Sequence, residues 1–386
     1  MSQIASAWLA APATVRVMAA LAPGDPHFVG GCVRDALMER ATADIDIAVR
    51  SRPEETMRLA RAAGLSAYPT GIDHGVVTVT ADGASFEATT LRRDVATDGR
   101  RAVVAFAETL VEDAQRRDFT MNALYADAKG YVKDPTGEGL GDLHARRIRF
   151  IGDADRRIEE DYLRILRFFR FHAQFENARF DDEALAACIR HASGLARISG
   201  ERILAEMRKL LGAADPEATL QRMDDVLAVA MPGAAWLYGL VECEARHSVE
   251  RSTLRRFAAL GGYEDLPLSR ADRRALDRIA QARTQLSGFA PAPGAPQIAA
   301  AAYQFGADEV RDALIILATE DVPLPANWKT EVARGGAAKF PVVAQDLIDR
   351  GVAPGPALGD QLRALEADWL ATDMRLNADD LLAGLA

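Results

Sequence analysis

Over roughly the first 90 residues the spacing of apolar positions switches repeatedly between the helical and the extended period, which predicts a mixed fold. Residues 1 to 27 predict a helix that closes at the turn cluster Pro23-Gly24-Asp25-Pro26. Phe28-Val29 reads as a short strand, Gly30-Gly31 as a turn, Val33 to Arg40 as a short helix and Ala43 to Val49 as a strand. Pro53 opens a helix with Glu54 and Glu55 in its first turn, and Gly64 closes it. Gly75 to Thr80 and Ala84 to Leu91 are β runs joined by the hairpin turn Ala81-Asp82-Gly83.

Arg92 to Val103 is polar, carries Gly99 and predicts a loop. Thr109 to Gln115 has a helical pattern, and Arg116 to Tyr125 predicts an entry turn followed by a helix. Tyr131 to Pro135 and Arg146 to Ile151 read as strands. Beyond Asp153 the pattern becomes helical. Glu159 to Phe175 predicts one continuous helix, apolar on one side, with Asp161, Arg164, Arg167 and Arg170 on another. Helices are also expected over 182–192, 200–212, 216–230, 252–260, 269–287 and 307–317, with a linker at Phe289 to Pro296 and a last helix at Leu358 to Ala371.

The chain has 386 residues, enough for two or three domains. No apolar run is long enough to span a bilayer, and the start lacks a basic stretch before an apolar core, so it reads as a helix and not as a signal peptide. Cys32, Cys188 and Cys243 are scattered without a CxxC pair, which argues against a disulfide framework and fits a reducing, cytoplasmic setting. The net charge of −10 argues against a nucleic-acid partner only on average, because binding depends on a local patch. The six histidines form neither HxxxH nor HExxH, and GxSxG and GxxxxGK[ST] are both absent, so zinc-hydrolase, serine-hydrolase and P-loop chemistry find no support.

What remains points to phosphates. Gly30-Gly31 lets backbone approach a phosphate closely, with Arg34 just after it. Asp44 and Asp46 are spaced i,i+2, which on a strand puts both carboxylates on one face, where they repel unless a cation is bound. Each feature alone is also read as a plain turn or a solvated acidic pair. Glu87 completes a three-carboxylate set if its strand pairs beside Asp46; otherwise it is a surface glutamate. Asp118 is an N-cap candidate that would place Arg116 and Arg117 beside a positive helix end. Asp161 and Arg164 together form an acceptor–donor template for a base edge, or an ordinary i,i+3 ion pair.

As a set these residues resemble a known family. Gly30-Gly31-x-x-Arg34-Asp35, Asp44-x-Asp46, Phe86-Glu87-x-Thr89-Thr90-x-Arg92, Asp98-Gly99-Arg100, Arg116-Arg117-Asp118-Phe119-Thr120-x-Asn122-Ala123 and Glu160-Asp161-x-x-Arg164-x-x-Arg167 resemble, in order, the signature motifs of the class II tRNA nucleotidyltransferase and bacterial poly(A) polymerase family. Arg197-Ile198-Ser199-x-Glu201-Arg202 looks like the next motif, and the resemblance weakens after about residue 210.

The resemblance implies an α+β fold: a small mixed-sheet head of the DNA polymerase beta type over 1–150, an all-helical neck over 151–212 that recognises the base, and a helical body and tail over 213–386 that bind tRNA. It implies untemplated addition of C, C and A to the tRNA 3′ end from CTP and ATP, by two-metal nucleotidyl transfer, with no membrane and no protein partner. Asp44 and Asp46 would bind Mg²⁺, and Asp46 or Glu87 would take the proton. Gly30, Gly31, Arg34, Arg117, Asp118 and Asn122 would hold the nucleotide, while Asp161 and Arg164 read its base, supported by Arg167 and Arg170. Arg251, Arg255, Arg256, Arg273 and Arg274 are tRNA-contact candidates that solvated helix faces explain equally well. Poly(A) addition, partial CC or A addition, and a non-catalytic RNA-binding protein are the alternatives. Intact Asp44 and Asp46 argue against the last of these, and Asp98-Gly99-Arg100 favours complete CCA addition.

Overall fold

The structure, a computed structural model, describes residues 2–42, 44–97, 102–175 and 177–383, with backbone alone for 94–97 and 102–104. The Asp98-Gly99-Arg100 motif lies outside the described residues. The chain divides into two compact units, one of residues 1–210 and 222–230, the other of residues 211–221 and 231–386.

The first unit starts with α1 (Pro12–Leu21), after a separate short turn of helix at Ala7–Ala10, so the single helix expected over 1–27 is split at Pro12. Then follow β1 (His27–Val29), α2 (Gly31–Leu37), β2 (Asp46–Val49), α3 (Pro53–Ala62), β3 (Ser66–Gly71), β4 (Val76–Ala81) and β5 (Ala84–Thr90). Next come β6 (Arg92–Thr97), β7 (Ala102–Phe106), α4 (Leu110–Gln115), β8 (Tyr125–Ala126), β9 (Val132–Lys133), α5 (Gly139–His144) and β10 (Arg147–Ile148). One mixed sheet, ordered β3-β4-β5-β2-β1-β8-β9, forms the head. Its inner strands bury Phe28, Ile47, Val49, Val77, Val79 and Phe86. The β4–β5 hairpin forms as expected, and β5 pairs parallel with β2.

Three expectations for the head are corrected. β3 is not among the expected strands: it alternates poorly and carries Pro69, which an edge position tolerates. The segment expected as a loop from Arg92 contains β6 and β7, an antiparallel pair whose β propensity lies in residues 102–106. The helix expected after Asp118 is only a three-residue 3₁₀ turn at Thr120–Asn122.

α6 (Ala154–Glu160), α7 (Leu163–Gln174), β11 (Arg179–Phe180), α8 (Asp182–Arg190), α9 (Gly200–Leu211) and α11 (Asp224–Ala230) follow in the first unit, while α10 (Glu217–Leu220) belongs to the second. β11 pairs parallel with β10, so the region after 150 is not strictly all-helical. α7 docks through a cluster of rings, with Phe168 stacked on Phe150 at 5.9 Å and Phe171 edge-on to Phe119 at 5.5 Å. The continuous helix expected over 159–175 is broken at Asp161-Tyr162. Asp161 is extended, and the Tyr162 ring occupies the space beside Gly194, where a Cβ would fall 2.0 Å from the ring.

The second unit is helical among the described residues: α12 (Leu240–Arg246), α13 (Thr253–Leu260), α14 (Arg270–Ser287), α15 (Ala295–Phe305), α16 (Ala307–Thr319), α17 (Trp328–Ala337), α18 (Ala344–Ile348), α19 (Pro356–Ala371) and α20 (Ala378–Ala383). α12, α15, α17, α18 and α20 add to the expected helices, and α19 is not the last. Arg255 and Arg256 are fully buried, which removes them from the tRNA-contact candidates. Arg255 pairs with Glu244 at 2.8 Å and Asp312 at 2.6 Å, and Arg256 with Glu244 at 2.7 Å. Two carboxylates thus neutralise two guanidiniums in the interior. Arg256 also donates to the carbonyls of Leu211 and Ala213, at 2.7 and 2.6 Å.

Candidate active site

Gly30 leaves β1 with φ of 73°, a conformation glycine adopts without strain, and so turns the chain directly into α2. A Cβ on Gly30 would stand 3.4 Å from Arg117 Nη1, and one on Gly31 would stand 3.8 Å from Arg34 Nη2. The bare turn therefore lies beneath two guanidiniums that come from segments more than 80 residues apart in sequence. Arg34 is held by a two-pronged bond to Asp35, at 2.9 Å on each prong, and donates to Asn122 Oδ1 at 2.6 Å. Its guanidinium also lies 5.0 Å from the Phe171 ring centre.

Asp46 opens β2, directly beside the turn: Cys32 Sγ in α2 contacts the Asp46 carbonyl at 3.7 Å. Asp46 and Glu87 are register partners across the parallel β2–β5 pair, so the strand arrangement needed for a wider carboxylate set is present. Burial and the neighbouring Glu87 and Asp44 charges push the Asp46 carboxyl above the usual range, while Arg117 acts in the opposite sense. Asp44 is exposed and precedes β2, so the shared-face argument made from strand spacing holds for Asp46 and Glu87 instead.

Among the described residues no three His, Cys, Asp or Glu side chains are gathered around one point, so no closed metal cage exists there. The donors fit a magnesium ion that shares its coordination with a bound phosphate. They are hard carboxylate oxygens, few in number and mutually repelling in the absence of a cation.

Asp118 does not cap a helix. Its Oδ1 accepts from the Phe119 amide at 2.8 Å and from Asn122 Nδ2 at 3.1 Å, and its Oδ2 accepts from Arg167 Nε at 2.7 Å. Burial alone would raise its pKa; the Arg167 charge and the bonds from Asn122 and Arg167 outweigh it and lower it. A continuous polar chain, Arg34–Asn122–Asp118–Arg167, thus runs from the glycine turn to α7. Arg116 and Arg117 follow the C-terminus of α4, not a helix N-terminus as expected.

At the other end of this chain, Asp161 Oδ1 accepts from the Leu163 amide at 3.1 Å, and its Oδ2 from Arg202 at 2.7 Å. Arg164 donates to Glu160 at 2.7 Å and to the Arg116 carbonyl at 3.1 Å. Arg170 is buried away from this polar edge and faces Glu206 at 3.0 Å, with its pKa brought down to about 10 chiefly by burial. The structure therefore brings Gly30, Gly31, Arg34, Arg117, Asn122 and Asp46 to one end of the central strands β1 and β2, and Asp161, Arg164 and Arg167 to the first turns of α7 and the residues before it. It leaves Arg170 in a packing position.

Asp113 is not among the residues the sequence singled out. It is almost fully buried in α4 and pairs with Arg116 at 2.8 Å and Arg117 at 3.0 Å. Its signal was an acid at i,i+3 and i,i+4 from two arginines, which resembles any solvated helix pair.

A small mixed sheet with this glycine turn and carboxylates on adjacent strands, followed by helices, places the head in the nucleotidyltransferase fold class. The family model described as Poly A polymerase head domain matches residues 26–149, and that described as Probable RNA and SrmB- binding site of polymerase A matches residues 179–235. Over its first half the chain is similar to members of the tRNA nucleotidyltransferase and poly(A) polymerase family. It is 43% identical over 188 residues to CCA tRNA nucleotidyltransferase 1, mitochondrial, of Danio rerio, a match covering 48% of this chain and 43% of that protein. It is 45% identical over 193 residues to a CCA-adding enzyme of Streptococcus pyogenes, covering 49% and 46%. These matches span a little under half the length of the curated relatives. Among solved structures, the Bacillus stearothermophilus CCA-adding enzyme in complex with CTP superposes with a TM-score of 0.74 at 28% identity, covering 93% of this chain and 92% of that one.

Proposed function

We propose that this chain is a CCA tRNA nucleotidyltransferase that adds C, C and A to the 3′ end of tRNA without a nucleic-acid template. The observation that carries the proposal is the placing of Arg34 and Arg117 over the Gly30-Gly31 turn, next to the Asp46–Glu87 register pair. Relatives of the first half of the chain carry the names CCA tRNA nucleotidyltransferase and CCA-adding enzyme, which supports tRNA as acceptor and CTP and ATP as donors.

In this reading Arg34 and Arg117 bind the triphosphate against the glycine turn, where the missing side chains leave room for it. Asp161 and Arg164 offer an acceptor and a donor to the base. The 3′-oxygen of the tRNA attacks the α-phosphorus and forms the new P–O bond. The bond from that phosphorus to the bridging oxygen breaks, pyrophosphate leaves with its electrons, and the hydroxyl proton passes to Asp46 or Glu87. Bound Mg²⁺, held by Asp44 and Asp46, would supply Lewis-acid activation of the hydroxyl and charge neutralisation on the leaving group. The three cysteines are unpaired and buried, which supports a reducing, cytoplasmic setting.

The description of the head-domain model favours a second reading, poly(A) addition. One experiment separates the two: full-length protein, Mg²⁺ and a tRNA ending before CCA, given CTP, ATP or both. Stepwise addition of C, C and then A supports the proposal; long A tracts from ATP alone overturn it in favour of poly(A) addition.

A further inference from the structure

Asp113 holds four groups at once. Its Oδ1 accepts from Arg116 Nε at 2.8 Å and from the Arg92 backbone amide at 3.2 Å. Its Oδ2 accepts from the Tyr125 hydroxyl at 2.7 Å and from Arg117 Nη2 at 3.0 Å. Tyr125 in turn accepts from Arg117 Nε at 3.2 Å, and its ring centre lies 5.4 Å from the same guanidinium.

This is more than a helix ion pair. The Asp113 side chain is 1% exposed, while Arg117 is 19% exposed, and the Nη1 that does not bond Asp113 lies nearest Gly30. Tyr125 is the register partner of Val29, the residue just before the glycine turn. The anchor and the turn are therefore built on the same pair of strands. One carboxylate faces two guanidiniums, so the cluster keeps a net charge of +1 after pairing, and of the two arginines it is Arg117 whose Nη1 lies beside Gly30. Burial pushes the carboxyl up, but the two arginine charges, the Tyr125 hydroxyl and the Arg92 amide outweigh it and hold it at about 2.

We infer that Asp113, braced by Tyr125, is a positioning residue for nucleotide binding, which fixes the Arg117 guanidinium over the Gly30-Gly31 turn so that its free edge meets the triphosphate of the incoming nucleotide. The inference rests on the function proposed above. It adds an acceptor that touches no substrate and acts only through Arg117.

The test is a double-mutant cycle read by calorimetric titration of the full-length protein with CTP and Mg²⁺, without tRNA. Asp113→Asn weakens CTP binding about tenfold, the size expected for a lost charged hydrogen bond. In an Arg117→Ala background the same substitution changes the affinity by less than about twofold. A merely structural Asp113 gives the same factor in both backgrounds, and that result overturns the inference, as does a folded Asp113→Asn variant with unchanged affinity. If Asp113→Asn does not fold, Tyr125→Phe removes one brace only, and its weakening of CTP binding must likewise disappear in the Arg117→Ala background. Unaltered protein that binds CTP but extends no tRNA sinks the proposed function, while the cycle still decides the role of Asp113. Unaltered protein that fails to bind CTP overturns both.

Discussion

Asp46 and Glu87 stand opposite each other on two parallel strands, β2 and β5, with Asp46 half-buried and Glu87 exposed. Paired positions in neighbouring strands lie about 5 Å apart and project to one face of the sheet. Two carboxylates in that relation repel, and the raised pKa of Asp46 records the repulsion together with its burial. The sheet holds them together regardless, because Ile47, Val49, Phe86 and Ala88 bury the opposite faces of the same strands.

The first prediction follows from that repulsion. Asp46→Asn removes one charge and keeps the shape, so the metal-free protein gains stability at neutral pH, by about 1 kcal/mol. The same variant loses nucleotide incorporation. Thermal melting in chelator, paired with an incorporation assay, checks both halves; a lower melting temperature for Asp46→Asn would count against a repelling pair.

Selection between C and A gives a second prediction. Arg202 and the Leu163 amide hold the Asp161 carboxylate in a fixed direction, which the proposed reading of the base by Asp161 requires. Arg202→Ala therefore blurs the choice between CTP and ATP in the same way as Asp161→Ala, with less effect on the rate of a single addition. Competition between the two nucleotides on tRNA ending before CCA reads this directly. Unchanged discrimination in Arg202→Ala would remove Arg202 from the recognition device.

Acid stability gives a third. The Asp113 carboxyl titrates at about 2 when folded, against an ordinary value of 3.8. A carboxyl depressed on folding contributes stability above its unfolded value and loses it as pH falls through the folded one. Here the contribution is of order 2 kcal/mol, fully present above about pH 4 and lost between about pH 4 and pH 2. Asp113→Asn should flatten that part of the acid-denaturation curve. A variant whose stability falls between pH 4 and pH 2 as steeply as the unaltered protein would refute the assignment.

Much of the head was legible because its signals are local. The glycine turn, the strand at Ile47 to Val49 and the β4–β5 hairpin each follow from a period or a turn residue in a short window. The break at Asp161-Tyr162 was hidden because the apolar spacing of α6 continues into α7 without a change of period. It is set by Gly194, which makes room for the Tyr162 ring from more than 30 residues away. Asp118 looked like a cap because Asp commonly caps helices, but its partner Arg167 is tertiary, 49 residues away in sequence. Arg255 and Arg256 looked like a solvated basic pair because composition carries no information on burial. Asp312, the partner of Arg255, lies more than 50 residues further along the chain.

The buried arginines support the last prediction. Glu244 serves both guanidiniums, at 2.8 Å to Arg255 and 2.7 Å to Arg256, and its side chain is 4% exposed. Glu244→Gln leaves Asp312 as the one carboxylate against two buried positive charges. Breaking a buried pair by removing one partner typically costs about 3–5 kcal/mol, because the remaining charge is left uncompensated. Glu244→Gln should therefore lower the unfolding free energy of the second unit by an amount in that range, seen as a lower urea midpoint. The loss is intrinsic to the folded chain, so added tRNA will not be needed to see it. If Arg255 and Arg256 were instead phosphate contacts, Glu244→Gln would free them, leaving stability nearly unchanged and tightening tRNA binding at low salt. Urea unfolding alongside tRNA titration at two salt concentrations distinguishes a structural pair from an RNA-binding one.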